Sequence, residues 1–145
     1  LAEEIGASAF ELAENFEKAA KELLTSGARS GRLYKRGAIT GRYSKALADL
    51  GLRKRGKSRL IKGYRIHRAS APGEAPAKDS GKLAREIKAV RKGKYGASVK
   101  IPGYAKFLDP LLADGDKHLN RPFVAPALEL AVQRTFGEDA RIIYR

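Results

Sequence analysis

Residues 51–58 have the spacing of a phosphate-binding loop. The segment Gly51–Ser58 fits the pattern G-x-x-x-x-G-K-[ST], in which backbone N–H groups surround the phosphates of a nucleotide. Such a loop normally follows a buried strand, but residues 43–50 have the pattern of a helix. Residues 53–55 also place Arg, Lys and Arg where the backbone must approach a phosphate closely. We therefore expect this segment to contact a polymer's phosphates or an acidic protein surface through charge, and not to hydrolyse a nucleotide.

The two histidines, His67 and His118, lie on separate segments of the chain. A zinc site or a histidine base needs several ligands or partners that converge on it. His67 could form an acid–base pair with Glu74 or Asp79. An ordinary surface histidine on a strand explains the same residues with fewer assumptions, and we favour it.

Three carboxylates, Asp109, Asp114 and Asp116, are closely spaced enough to suggest cation binding. Their spacing lacks the signature of a calcium loop, and Gly115 between them fits a plain turn. The sequence therefore predicts no metal site, no catalytic residues and no cofactor, and the protein is not expected to be an enzyme.

Length and composition indicate one soluble domain over residues 1–145. A chain of this size buries enough surface to fold alone, and the absence of cysteine excludes disulfides and thiolate metal sites. No apolar run approaches the roughly 18 residues of a membrane span, and the acidic N-terminal segment does not resemble a signal peptide. No membrane contact is expected.

The net charge of +14 is concentrated in one part of the chain. Residues 28–68 hold fourteen Arg or Lys and one acid, Asp49, whereas residues 1–27 hold six Glu and two Lys. So basic a block repels itself unless a polyanion or an acidic surface is near. We interpret residues 37–62 as a basic arm inserted between two strands. Its expected contacts with nucleic acid or an acidic partner are Arg42, Lys45, Arg53, Lys54, Arg55, Lys57, Arg59 and Lys62. The alternative is a solvated surface that only maintains solubility.

Hydrophobic periodicity predicts the elements that must position these residues. Residues 2–25 form an amphipathic helix whose apolar stripe contains Ile5, Phe16 and Leu23. Strands are expected at 32–36 and 63–68, paired with each other, and at 95–101 and 141–144, and a further helix at 123–135. The fold class is therefore α+β: a long N-terminal helix, a small mostly antiparallel sheet carrying the basic insertion, and further helices packed on it.

Prolines mark two further segments. In residues 71–81, Pro72 and Pro76 restrict the backbone, and Asp79 or Ser80 is suited to cap a helix that shows Leu83, Ile87 and Val90 on one face. Residues 121–128, Arg-Pro-Phe-Val-Ala-Pro-Ala-Leu, lead into the later helix in a similar way.

Taken in order, Ala71–Leu83, Tyr104–Leu108 and Arg121–Leu128 resemble the head–tail joining (neck, or tail-completion) proteins of long-tailed bacteriophages. That family has an "APGEAPA-D-[ST]-G-x-L" loop, a "Y-A-x-[FY]-L" segment and an "RPF-x-x-PAL" box in the same order. After Leu108 the family continues with Glu and a Gly-Thr pair, whereas this chain has Asp109 and a different loop. The resemblance covers residues 67–130.

The resemblance implies a structural virion protein of the phage neck, made in the bacterial cytoplasm. It would be one subunit of a homo-oligomeric ring, a hexamer being favoured, that joins the DNA-filled capsid connector to the tail and surrounds the DNA path. Its neighbours would be head-completion and tail-terminator proteins, with non-specific contact to packaged double-stranded DNA. The implied subunit interface consists of Pro72, Gly73, Glu74, Pro76, Tyr104, Phe107, Arg121, Pro122 and Phe123. A stand-alone nucleic-acid-binding protein that recognises no particular sequence is the alternative, since charge alone does not separate the two.

Overall fold

A computed structural model of the chain describes residues 2–27, 29–38, 64–78 and 81–143. In these ranges the order of elements is helix α1 (Ala2–Ser26), strands β1 (Leu33–Ala38) and β2 (Tyr64–Arg68), helix α2 (Lys82–Glu86), strands β3 (Lys88–Lys92) and β4 (Gly96–Lys100), a 3-10 helix (Gly103–Phe107) and helix α3 (Val124–Phe136). The predicted α+β class is confirmed. Strand β1 includes the first two residues of the predicted basic arm, and the rest of the arm, residues 39–62, lies outside the described residues. The helix expected at 43–50, the Gly51–Ser58 segment, and Asp79 and Ser80 also lie outside them.

The strands form two separate antiparallel pairs. The expected pairing of β1 with β2 is confirmed, with Leu33 opposite Arg68 and a register shift between Arg36 and Ala38. The expected strand at 95–101 also forms, as β4, but its partner is β3. The two pairs are not joined into the single small sheet that was predicted.

Two sequence-based predictions are wrong. The helix after the proline-rich loop does not continue to Val90; it ends at Glu86, and Ile87 is extended (φ −73°, ψ 121°). Gly93, with φ 64°, then allows the turn that brings β3 beside β4. The strand predicted at 141–144 does not form over Arg141–Ile143, whose backbone follows a turn closed by the hydrogen bond from Ala140 N–H to Gly137 O. Tyr144 lies outside the described residues.

Helix α1 provides the frame on which the other elements pack. It contacts α3, both strands of the β3–β4 hairpin and α2. Its buried stripe is displaced from the one predicted, since Ile5 is 54% exposed. The buried cluster consists of Phe16, Ala19, Ala20, Leu24, Ile87, Ala105, Phe123, Ala127 and Ala131. Most of these residues are alanine, which lets α1 and α3 approach closely.

Polar contacts fix α1 against its neighbours. The Asn15 amide donates to the Thr135 hydroxyl at 2.9 Å, and Arg134 pairs with Glu22 at 2.7 Å, so the helices α1 and α3 are joined at two points. On the hairpin side, the N–H of Ala89 donates to the Glu17 carboxylate at 2.7 Å.

Candidate interaction face

The proline-rich loop is held against the first strand pair by one carboxylate. Glu74 accepts hydrogen bonds from the backbone N–H of Ser30 at 3.0 Å and of Ala71 at 2.7 Å, and from the hydroxyl of Ser30. These bonds, with the charge of Arg121, lower the pKa of Glu74 even though desolvation opposes the shift. The carboxylate considered as a partner for His67 therefore has a structural role at the base of the strand pair.

A second carboxylate joins the 3-10 helix to α3. Asp109 is wholly buried, and one of its oxygens accepts from the backbone N–H of Phe123 at 2.7 Å and of Val124 at 2.8 Å. Its other oxygen accepts from Leu111 N–H at 2.8 Å. The first N–H groups of a helix have no partner within the helix, so Asp109 caps α3 from fourteen residues earlier in the chain. Pro126 has no N–H and leaves one group fewer to satisfy.

Backbone hydrogen bonds join three segments of the chain: the proline-rich loop, the 3-10 helix and the segment that precedes α3. Gly73 N–H donates to Asn120 O at 2.8 Å, and Arg121 N–H donates to Leu108 O at 2.7 Å. Leu119 N–H donates to Phe107 O at 2.9 Å. The loop 71–78, the 3-10 helix and the segment before α3 therefore form one continuous region of the surface.

Four large apolar side chains in and next to this region are exposed. The exposed fractions are 56% for Phe107, 59% for Leu119, 53% for Leu111 and 37% for Tyr104. We call Pro72, Gly73, Tyr104, Phe107, Leu111 and Leu119 the loop face. Apolar side chains gathered in one region of a surface commonly mark a protein–protein contact. The sequence did not indicate Leu111 or Leu119. The backbone bond to Phe107 O places Leu119 here, and Leu111 N–H is held by the Asp109 carboxylate at the end of the 3-10 helix.

The predicted interface residues fall into an exposed, a buried and a half-buried group. Pro72, Gly73, Tyr104 and Phe107 are exposed on the loop face. Phe123 is wholly buried and Pro76 is buried, so these two support the face from inside the subunit and do not form its contact surface. The three that remain, Glu74, Arg121 and Pro122, are half-buried. The Arg121 guanidinium donates a hydrogen bond to the Leu119 carbonyl at 2.9 Å.

A groove of about 320 Å³ lies beside the loop face, between the end of α1, the loop, α2 and the 3-10 helix. Leu24, Pro76, Leu83 and Tyr104 line it, with Lys82 on the rim 5.7 Å from the Tyr104 ring centroid. Partial burial, and after it the charge and hydrogen bond of Glu86, raise the pKa of Tyr104. The groove has an apolar floor and a basic rim.

The carboxylates considered for cation binding do not converge. Asp109 is committed to the three backbone N–H groups, whereas Asp114 and Asp116 are exposed and flank Gly115, which has the φ of 78° that the turn requires. Within residues 2–27, 29–38, 64–78 and 81–143, no three metal-binding side chains come together. In the same ranges, no helix has the length and apolarity needed to cross a bilayer.

Comparison of the chain with protein-family models, with curated proteins and with solved structures finds no match. Inference about function therefore depends on the residues themselves and on the motif resemblance they carry.

Proposed function

We propose that this protein is a structural subunit of a tailed-bacteriophage neck, forming a homo-oligomeric ring between the capsid connector and the tail. One observation carries the proposal. The three segments that resemble head–tail joining proteins are far apart in sequence, yet they meet through the hydrogen bonds of Gly73, Leu119 and Arg121 at one face. If the resemblance came from composition alone, nothing would require the three segments to be neighbours in the fold.

The carboxylates and the aromatic side chains of this region have different roles, and this difference also supports an assembly role. Carboxylates within or next to the resembling segments, Glu74 and Asp109, are used to fix backbone, whereas Tyr104 and Phe107 are left exposed. A catalytic site would instead direct polar groups toward a substrate. Fixed backbone under an exposed apolar surface is the arrangement expected of a contact with another protein.

A closed ring needs a heterologous interface, in which the loop face of one subunit meets a different surface of the next. Six copies would match the six-fold symmetry of a tail. Head-completion and tail-terminator proteins would bind on either side of the ring. The basic arm, through its cations between Arg42 and Lys62, would reach packaged DNA or an acidic rim.

Deletion of the gene from its phage or prophage tests the proposal directly. Particles examined by electron microscopy should separate into DNA-filled heads and free tails, and expression of the protein in trans should restore joined particles. Normal joined particles after deletion, or absence of the protein from purified particles, would overturn the proposal.

The alternative is a stand-alone nucleic-acid-binding protein, and the concentration of fourteen cations in residues 28–68 favours it. It predicts that the protein is absent from particles and binds nucleic acid throughout the cell. Gene context separates the two, because a neck gene lies between capsid and tail genes.

A further inference from the structure

The β3–β4 hairpin is strongly basic and lies outside the arm that the sequence identified. Residues 88–100 contain five cations and no acid, and the acid-free stretch extends from Ile87 to Leu108. The strands place Lys88 directly opposite Lys100. Like charges opposite each other on adjacent strands repel and destabilise the pair. A sheet that keeps this repulsion is suited to a surface that meets a polyanion.

Strand register divides the hairpin into two faces. The pairs Ala89–Val99 and Arg91–Ala97 point to one side, where Val99 packs against the core and the Arg91 guanidinium carbon lies 4.4 Å from the centre of the Phe10 ring. The pairs that alternate with these point to the other side. That side, with the turn, exposes Lys88, Val90, Lys92, Lys94, Tyr95 and Lys100, which we call the lysine face.

The lysine face is held rigidly on α1. Glu17 accepts from the Ala89 N–H at the base of the hairpin. At the turn, a methyl group on Gly6 would come within 2.3 Å of the Lys94 carbonyl oxygen, so helix and hairpin touch through their backbones. The strands therefore present their cations from a fixed platform, and little backbone order is lost when a ligand binds.

We propose that the lysine face binds the phosphate backbone of double-stranded DNA, without reading its sequence. The inference rests on the proposed function for the source of that DNA, since a duplex must pass through a neck ring. Strand β3 spans about 14 Å, a length over which a duplex presents about eight phosphate charges. Four lysines distributed along and across the hairpin fit such a repeating target.

The identity of the cations favours DNA over an acidic protein. Lysine is depleted at protein–protein interfaces, where arginine and aromatic residues are enriched. On this hairpin the one arginine, Arg91, is turned toward α1 and Phe10, and every outward cation is a lysine. Lysine binds phosphate as a flexible point charge and requires no exact geometry, which suits contact with a backbone that slides past.

The test compares two triple variants of the full chain that lose the same charge. In the first, Lys92, Lys94 and Lys100 are replaced by Gln; Lys88 is retained because its charge contributes to the lowered pKa of Glu17. In the matched control, Lys18, Lys78 and Lys117, which are exposed elsewhere, are replaced by Gln. Affinity for a random-sequence duplex is measured by fluorescence anisotropy between about 50 mM and about 200 mM salt.

The lysine-face variant should reduce the magnitude of the slope of log K against log salt by about 2 to 3, since each phosphate contact contributes about 0.9. The control should retain the wild-type slope and melting temperature. The lysine-face variant, which loses the repulsion between Lys88 and Lys100, should melt at or above the wild-type temperature. Equal loss of slope in the two variants, or no loss in either, overturns the proposal. So does a lysine-face variant that binds DNA normally but no longer binds an acidic neighbouring protein. Particle joining is scored in a separate assay. If the lysine-face variant changes the salt slope but the protein does not join heads to tails, the DNA contact stands and the neck function fails. If the salt slope does not change, the DNA contact fails.

Discussion

The carboxylate of Asp109 lies 2.7 Å from the backbone nitrogen of Phe123 and joins the end of the aromatic segment to the start of α3. Phe123 is wholly buried beneath this contact. The start of α3 therefore depends on one buried side chain.

Replacement of Asp109 by Ala should lower the free energy of unfolding by about 2–4 kcal/mol, because it leaves the N–H groups of Phe123 and Val124 without an acceptor. Chemical denaturation monitored by circular dichroism measures this loss. The matched change Asp114→Ala, at an exposed turn position, should stay within about 0.5 kcal/mol of the wild type. Equal stability of the two variants would show that Asp109 is not the cap of α3.

Replacement of Glu74 by Gln should release the proline-rich loop from the first strand pair. The backbone N–H groups of Ser30 and Ala71 lose a charged acceptor, so both should exchange with solvent deuterium faster than in the wild type. The change Glu129→Gln, on the exposed side of α3, is the control and should leave both rates unchanged.

The same carboxylate predicts a dependence of stability on pH. The folded-state pKa of Glu74 is lowered, so its contribution is complete above the pKa of an unfolded glutamate, about 4.3, and is lost as the pH falls through the lowered value. The stability difference between wild type and Glu74→Gln should therefore be constant near neutral pH and shrink in acid. A difference that grows below pH 4 would have the wrong sign.

Replacement of Gly6 by Ala should destabilise the protein, although the same change in an exposed helix normally stabilises it by about 1 kcal/mol. The added methyl group would lie 2.3 Å from Lys94 O, so α1 and the hairpin must separate, at a cost of about 1–3 kcal/mol. Gly103, around which a methyl group meets nothing within 4 Å, provides the control Gly103→Ala. A rise in melting temperature for Gly6→Ala would contradict the close packing.

Replacement of Phe107 by Ser should reduce head–tail joining in a complementation assay while the melting temperature of the isolated protein stays close to wild type, because the side chain is 56% exposed. The control is Phe136→Ser, at the end of α3 and 59% exposed. Joining at the wild-type level by the Phe107 variant would remove the loop face from the proposed interface.

The elements that the sequence predicted correctly are those with strong local signals. They are the 25-residue helix α1, the β1–β2 pair and α3, and each has either a clear hydrophobic periodicity or prolines near its start. The sequence did not predict strand β3, because Ile87 and Val90 also fit the stripe of a helix, and the bond from Ala89 to Glu17, 72 residues away, is part of what favours the strand.

Prediction of the interaction face was limited in the same way, by contacts between residues that are distant in the sequence. The motif resemblance predicts Pro72, Tyr104 and Phe107 as interface residues, and all three are exposed. Leu119 was missed because its place beside Phe107 depends on a backbone bond between two irregular segments. Phe123 was assigned to an interface although it belongs to the interior, since a motif gives no measure of burial.

The alanines between α1 and α3 constrain how such a sequence can diverge. Ala19, Ala20, Ala127 and Ala131 are completely buried, so none can become larger unless a side chain across the contact becomes smaller. Accepted changes should therefore arise as compensating pairs, and a survey of homologues would detect these positions by their covariation. The lysine side chains of the lysine face are exposed, so each can change by itself as long as the charge is kept.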